Sequence, residues 1–142
     1  MYRVTKEINF CYGHRLLNYE GKCRHLHGHN GRVLIELEAE QLDSRGMVVD
    51  FGDIKRTLQA WIDENLDHKI LLNKEDPIIP HLRELNEAFF TMNENPTAEA
   101  ISRLIFEYAV SQGLNVIQVT LWETPTSYAS FCPAGQGAWR PE

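Results

Sequence analysis

Two long stretches of alternating polarity near the N-terminus restrict this chain more than any other feature. Residues 2–14 put Tyr2, Val4, Ile8, Phe10 and Tyr12 on one side and Arg3, Thr5, Glu7 and Asn9 on the other. Residues 27–40 repeat the pattern, with Val33, Ile35, Leu37 and Ala39 opposed by Arg32, Glu36, Glu38 and Glu40. A period of two is a strand with one buried face. The segment between them is mostly polar, contains Gly21 and reads as a loop of roughly a dozen residues. The two strands are therefore expected to form a hairpin, with the end of the first beside the start of the second.

The rest of the chain changes period. Leu42–Gly46 reads as a turn and Met47–Val49 as a short extended piece. Asp50 is a candidate helix N-cap, with Asp53 three residues on in a pattern near a capping box. Phe51, Ile54, Leu58, Trp61, Ile62 and Leu66 then form an apolar stripe at helical spacing, ending near Leu66. A second helix is expected from Asn95-Pro96, with Asn as cap, Ile101, Leu104, Ile105 and Tyr108 facing inward, and Gly113 as the stop. Two strands, about 115–123 and 126–132, should follow around a turn at Thr124-Pro125-Thr126.

The order ββααββ predicts an α+β fold, a four-stranded antiparallel sheet with two helices on one face. Residues 1–142 fit one domain. The segment at about 74–94 stands out as an insertion holding Pro77, Pro80 and one short helix, and the tail from about 133 reads as loose.

Charge narrows the function. The net charge is -6 and the pI about 5.5, so no basic stripe for nucleic acid is expected. Arg15, Lys22, Arg24 and Arg32 lie close together in sequence, either as a solvated loop or as a seat for a phosphorylated ligand. Cys11, Cys23 and Cys132 are too few and too scattered for a disulfide framework. No signal-peptide h-region and no apolar run of transmembrane length is visible, so a cytoplasmic protein without membrane contact is expected.

The chemistry gathers on the hairpin. His27 and His29, two apart on a strand, point to the same side, as two ligands of one metal must. His14 closes the first strand with the same buried parity and can approach them. Three imidazoles with one open position match a catalytic zinc, although copper, iron and nickel also accept imidazole. Cys23 reads either as a fourth ligand closing a structural site or as a reactive thiol beside the metal. Asp67-His68 reads either as a polar helix end or as a carboxylate orienting an imidazole. Glu123 ends the apolar parity set Ile117, Val119, Leu121, where a carboxylate could hold adjacent N–H donors of a flat heterocycle. Thr97 and Glu99 read first as helix-start residues.

Taken together, FCYGHRL (10–16), CRHLHGHN (23–30), GMVVDFGDIK (46–55), LDHKILLN (66–73), ENPTAE (94–99) and WET (122–124) resemble the 6-pyruvoyl-tetrahydropterin synthase family. Within it they look most like the queuosine-pathway branch, the 6-carboxy-tetrahydropterin synthases. The resemblance implies a tunnelling fold whose sheets join into a barrel, with two trimers stacked as a hexamer and active sites between subunits. It implies zinc on His14, His27 and His29, and a catalytic Cys23. Asp67 and His68 would be a catalytic pair supplied across an interface. Glu123 would anchor the pterin, with Thr97 and Glu99 as helpers.

Two departures from the family pattern stand out. The segment before ENPTAE is longer, and Cys11, Tyr12 and Gly13 replace the usual small residues before the first histidine. The implied substrate is 7,8-dihydroneopterin triphosphate. In the queuosine branch the products are 6-carboxy-5,6,7,8-tetrahydropterin, acetaldehyde and triphosphate; in the biopterin branch the product keeps its three-carbon chain as 6-pyruvoyl-tetrahydropterin. A folate-serving branch typically has Glu where Cys23 stands. The rival from another class is a non-catalytic module with a structural zinc on one cysteine and three histidines.

Overall fold

Strand β1 (Tyr2–His14) and strand β2 (His27–Ala39) pair antiparallel along their whole length, from Tyr2 opposite Ala39 to His14 opposite His27. This computed structural model describes residues 1–135; the expected loose tail therefore lies largely outside the described residues. Beyond β2 come β5 (Val116–Thr124) and β6 (Ser127–Phe131), each antiparallel to its neighbour, as expected.

Among the described residues the sheet has six strands, not four. Two short strands, β3 (Lys69–Asn73) and β4 (Phe89–Met92), extend it on the other side of β1. Both run parallel to their neighbours, so the sheet is mixed, in the order β4-β3-β1-β2-β5-β6. The sequence reading missed them because each is too short to show a period. No strand forms at Met47–Val49.

One face of the sheet carries the core. Ile8, Phe10, Tyr12, Val33, Ile35, Leu37, Val119 and Leu121 are buried there against helical side chains. The first helix comprises α1 (Phe51–Ile54), a π stretch (Lys55–Gln59) and α2 (Ala60–Asn65). Its stripe Ile54, Leu58, Ile62 and Leu66 is fully buried, each at 0 % exposure. A strict spacing of four drifts by about 40° per step on a 3.6-residue helix. The wider π turn takes up that drift and keeps the stripe on the sheet. Phe51, expected in the stripe, is exposed. Asp50 caps the helix as expected, accepting the Gly52 N–H at 2.8 Å. Asp53 does not complete a capping box; it pairs with Arg56.

The second long helix, α4 (Ala98–Ser111), starts later than expected. Its cap is Thr97, whose hydroxyl accepts the Ala100 N–H at 3.1 Å, not Asn95. Asn95 instead holds the hairpin loop, donating to the Leu17 carbonyl at 2.9 Å and accepting the Leu17 N–H at 3.0 Å. Gly113 stops the helix at φ +80°, a conformation costly for other residues. Trp61 stacks on Tyr108, ring centroids 4.3 Å apart, and joins the two helices.

The insertion contains β4 and a short helix, α3 (Ile79–Glu84), around its own small core of Leu72, Ile79 and Leu82. Asp76 pins it to the hairpin loop. This carboxylate is 3 % exposed, accepts Arg15 Nε at 2.8 Å and receives the Ile78 N–H at 2.9 Å. Burial alone would raise its pKa; the Arg15 hydrogen bonds, the Ile78 N–H and the Arg15 charge outweigh it and hold the pKa below the ordinary carboxylate value. Asp76→Ala is expected to lose about 2–3 kcal/mol in urea unfolding, moderated because Arg15 can turn to water. A depressed folded pKa means that this stabilisation is complete at neutral pH. It is lost as pH falls through the carboxylate range toward the folded value. Unchanged stability in the variant at pH 7 would refute that role.

Candidate metal centre

Strand pairing alone brings the three histidines together. His14 and His27 are opposite one another, and His29 sits opposite Tyr12, all with the parity of the core face. The ring centroids are 4.5 Å apart for His14 and His27 and 5.1 Å for His29 to each of the others. One ligand nitrogen from each ring lies within 4.8 Å of the others.

The hydrogen bonds fix the tautomers. His14 Nδ1 is 2.7 Å from the Pro96 carbonyl, and His27 Nδ1 is 2.7 Å from the His25 carbonyl. A carbonyl only accepts, so both Nδ1 atoms carry the proton and donate. The two Nε2 atoms, 3.0 Å apart, then face each other with lone pairs. Two acceptors at that distance repel unless a cation lies between them. On a tetrahedral zinc with bonds of about 2.0–2.1 Å, two nitrogens sit roughly 3.3 Å apart, so the donor set fits such an ion. Backbone acceptors behind ligand imidazoles are the usual outer support of a metal site. His14 is 3 % exposed, and its burial lowers its pKa despite the raising pull of the Pro96 carbonyl and of Glu123. It is held neutral, as a ligand must be.

Glu123, near the end of β5, reaches the same place. Its Oε1 lies 3.9 Å from His14 Nε2 and accepts the Tyr12 hydroxyl at 3.2 Å. Burial, then the Glu123 charge and hydrogen bond, push the Tyr12 phenol far above its ordinary pKa, so it stays a donor. Gly31 makes room: a Cβ there would come within 3.1 Å of both the Tyr12 ring and Leu121. Tyr12 is thus a site residue that the sequence reading passed over. Only its departure from the family pattern could have flagged it.

The other expected residues divide. Cys23 sits in a turn of 3-10 helix (Lys22–Arg24), partly buried, and its carbonyl accepts the Leu16 N–H at 2.9 Å. Its thiol is not among the ligand atoms gathered with the histidine nitrogens, which form a group of three. Thr97 spends its hydroxyl on the helix cap, and Glu99 is exposed in the first turn of α4. Of the four basic residues near the loop, Arg15 is paired with Asp76 and Arg32 with Glu7. That leaves Lys22 and Arg24 exposed in the turn.

Asp67 and His68 form a second cluster, with Cys11. Asp67 Oδ1 accepts the Cys11 N–H at 2.9 Å and Oδ2 faces His68 Nδ1 at 2.7 Å. Burial would raise the Asp67 pKa, but the Cys11 N–H and His68 outweigh it and lower the pKa. His68 has φ +57°, in the left-handed region that few non-glycine residues adopt. Cys11 has the opposite strand parity to His14, so this cluster and the three histidines occupy opposite faces of β1.

Residues 3–134 match the family described as 6-pyruvoyl tetrahydropterin synthase. A 6-carboxy-5,6,7,8-tetrahydropterin synthase of Rickettsia conorii is 36% identical over 90% of this chain and 98% of its own length. An uncharacterized protein from Wolinella succinogenes, solved by crystallography, superposes with a TM-score of 0.78 at 31% identity, covering 92% of this chain and 97% of its own. The 6-pyruvoyl tetrahydropterin synthase of Caenorhabditis elegans superposes with a TM-score of 0.68 at 24% identity over 94% and 98% of the two chains, a likeness of fold. Among the described residues no helix is long and apolar enough to cross a membrane.

Proposed function

Because the chain belongs to the 6-pyruvoyl tetrahydropterin synthase family, we propose that it converts 7,8-dihydroneopterin triphosphate and water to 6-carboxy-5,6,7,8-tetrahydropterin, acetaldehyde and triphosphate. The observation that carries this reading is the convergence of His14, His27 and His29 with Glu123 at the edge of the core. The relative named for that product, alike over nearly its full length, favours the carboxylated product over the pyruvoyl one.

The roles follow from the side chains. His14, His27 and His29 hold zinc, which when bound supplies a Lewis acid to oxygens of the substrate side chain. Glu123 accepts adjacent N–H donors of the pterin edge, while Tyr12 holds one of its oxygens in place. Cys23 moves protons at the side-chain carbons, and His68, oriented by Asp67, is the opposite acid/base. Thr97 and Glu99 shape the substrate pocket from the start of α4.

The histidines and Asp67-His68 lie on opposite faces of one strand. We therefore assign Asp67 and His68 to the histidine site of a neighbouring copy, in a barrel of joined sheets and a hexamer of two trimers. The open sheet edges, β4 and β6, are where such sheets would join. Light scattering should give six copies of the 16.4 kDa chain.

Mass spectrometry of the products from 7,8-dihydroneopterin triphosphate tests the reaction. Acetaldehyde and a carboxylated pterin are expected; a pterin that retains its three-carbon side chain would place the enzyme in the 6-pyruvoyl branch instead. Glu123→Gln exchanges charge-assisted hydrogen bonds of about 1.5–3 kcal/mol for neutral ones of about 0.5–1.5 kcal/mol. It should raise KM by about tenfold to a hundredfold. An unchanged KM would remove Glu123 from pterin binding.

A further inference from the structure

None of residues 15–26, the loop that carries Cys23, is buried, so apolar packing contributes little to holding it. Its hold comes from hydrogen bonds at the two ends of the insertion. At one end Asp76 accepts Arg15 Nε at 2.8 Å. At the other, just beyond β4, Asn95 grips Leu17 by both backbone groups. Its Oδ1 accepts the Leu17 N–H at 3.0 Å, and its Nδ2 donates to the Leu17 carbonyl at 2.9 Å. An N–H only donates and a carbonyl only accepts, so the orientation of this amide is determined. The Lys74 N–H donates to the Met92 carbonyl at 2.8 Å and keeps the two ends side by side.

Between these two clamps, the Leu16 N–H donates to the Cys23 carbonyl at 2.9 Å. Arg15 and Leu17 are thus each tied to the insertion, and the residue between them is tied to Cys23. One position upstream, His14 Nδ1 donates to the carbonyl of Pro96, the neighbour of Asn95, at 2.7 Å. The same segment therefore holds a histidine of the metal centre and the backbone of the thiol residue.

We propose that Asn95 is a positioning residue for Cys23, clamping the loop so that the thiol keeps a fixed place relative to the three histidines. Asp76 supports the same loop from the other end of the insertion. The inference rests on the acid/base role proposed for Cys23. The side-chain partners of Asn95 are Leu17 and Asn73, so its effect reaches the reaction through the loop. The loss on removing it should therefore fall on the rate of the bound complex, not on pterin binding.

Asn95→Ala in the intact protein removes both grips on Leu17 and tests the clamp. With 7,8-dihydroneopterin triphosphate, kcat should fall about tenfold to a hundredfold, the scale on which misplacing a reacting group costs rate. KM should stay within about twofold, because Glu123 is untouched. Zinc content should match that of the unaltered protein. Asp76→Asn keeps the shape of the side chain but weakens its hold on Arg15, and should lower kcat about threefold to tenfold. It carries the test should Asn95→Ala not fold. Hydrogen exchange in peptides spanning residues 15–24 should quicken in both variants. That measurement needs no substrate, so unchanged exchange would overturn the clamp whatever the reaction. Unchanged kcat in both variants, a fall in kcat that follows lost zinc, or a rise in KM alone would also overturn it. Cys23→Ala is assayed beside them. If it is inactive while Asn95→Ala is fully active, the clamp fails and the reading of Cys23 stands. If Cys23→Ala is itself fully active, that reading fails and the proposal with it.

Discussion

If the three histidines hold zinc as proposed, His29→Ala is expected to lose the metal while leaving the protein folded. Zinc held by a full ligand set binds with roughly 10–16 kcal/mol, so one lost imidazole removes about 3–4 kcal/mol, or ~10²–10³ in affinity. Turnover should fall with the metal. His29 is the informative choice because it is partly exposed, with the Tyr12 ring centroid 5.7 Å away. Its removal should change stability by no more than about 1 kcal/mol. His14, at 3 % exposure and bonded to the Pro96 carbonyl, would unfold part of the core as well. Metal content after dialysis, beside a thermal unfolding curve, gives the answer. A variant that keeps one zinc per chain would show that His29 is not a ligand.

Cys23→Ala is expected to give folded, zinc-loaded and nearly inactive protein. A positioned acid/base group contributes about 10²–10⁴ to a rate, and the loss of turnover should fall in that range. Alanine keeps the Cys23 carbonyl that accepts the Leu16 N–H, so the loop stays closed. The thiol stands apart from the gathered histidine nitrogens, which is why zinc should remain. Loss of zinc together with unfolding would instead favour a structural site of one cysteine and three histidines. The pair of variants separates ligand from reagent: one should lose metal and activity, the other activity alone.

Parts of this were readable from residue order. Alternation in β1 and β2 is a local property, so the hairpin and the shared face of His14, His27 and His29 followed from it, while the register came from the structure. The caps were less legible. Asn95 has the chemistry of an N-cap but serves the loop at Leu17, and Thr97 caps instead. Propensity ranks cap residues; it does not say what other group is waiting nearby. Strands β3 and β4 escaped notice because four or five residues carry no readable period. They exist because β1 offers an open edge.

Residue order was enough for the antiparallel strands and most of the helix stripe, which periodicity sets over adjacent residues, and for the shared parity of the three histidines, which the family resemblance turned into a set. Tertiary structure alone decided what surrounds that cluster. The Pro96 carbonyl that fixes the His14 tautomer is 82 residues away, Glu123 lies 111 residues from Tyr12, and the Cys11 N–H meets Asp67 across 56. Such contacts depend on how separate elements dock, and short-range patterning holds no record of which distant segment arrives. The three histidines were visible in a hairpin; the groups that orient them, and the second thiol beside His68, appear only once the sheet is assembled.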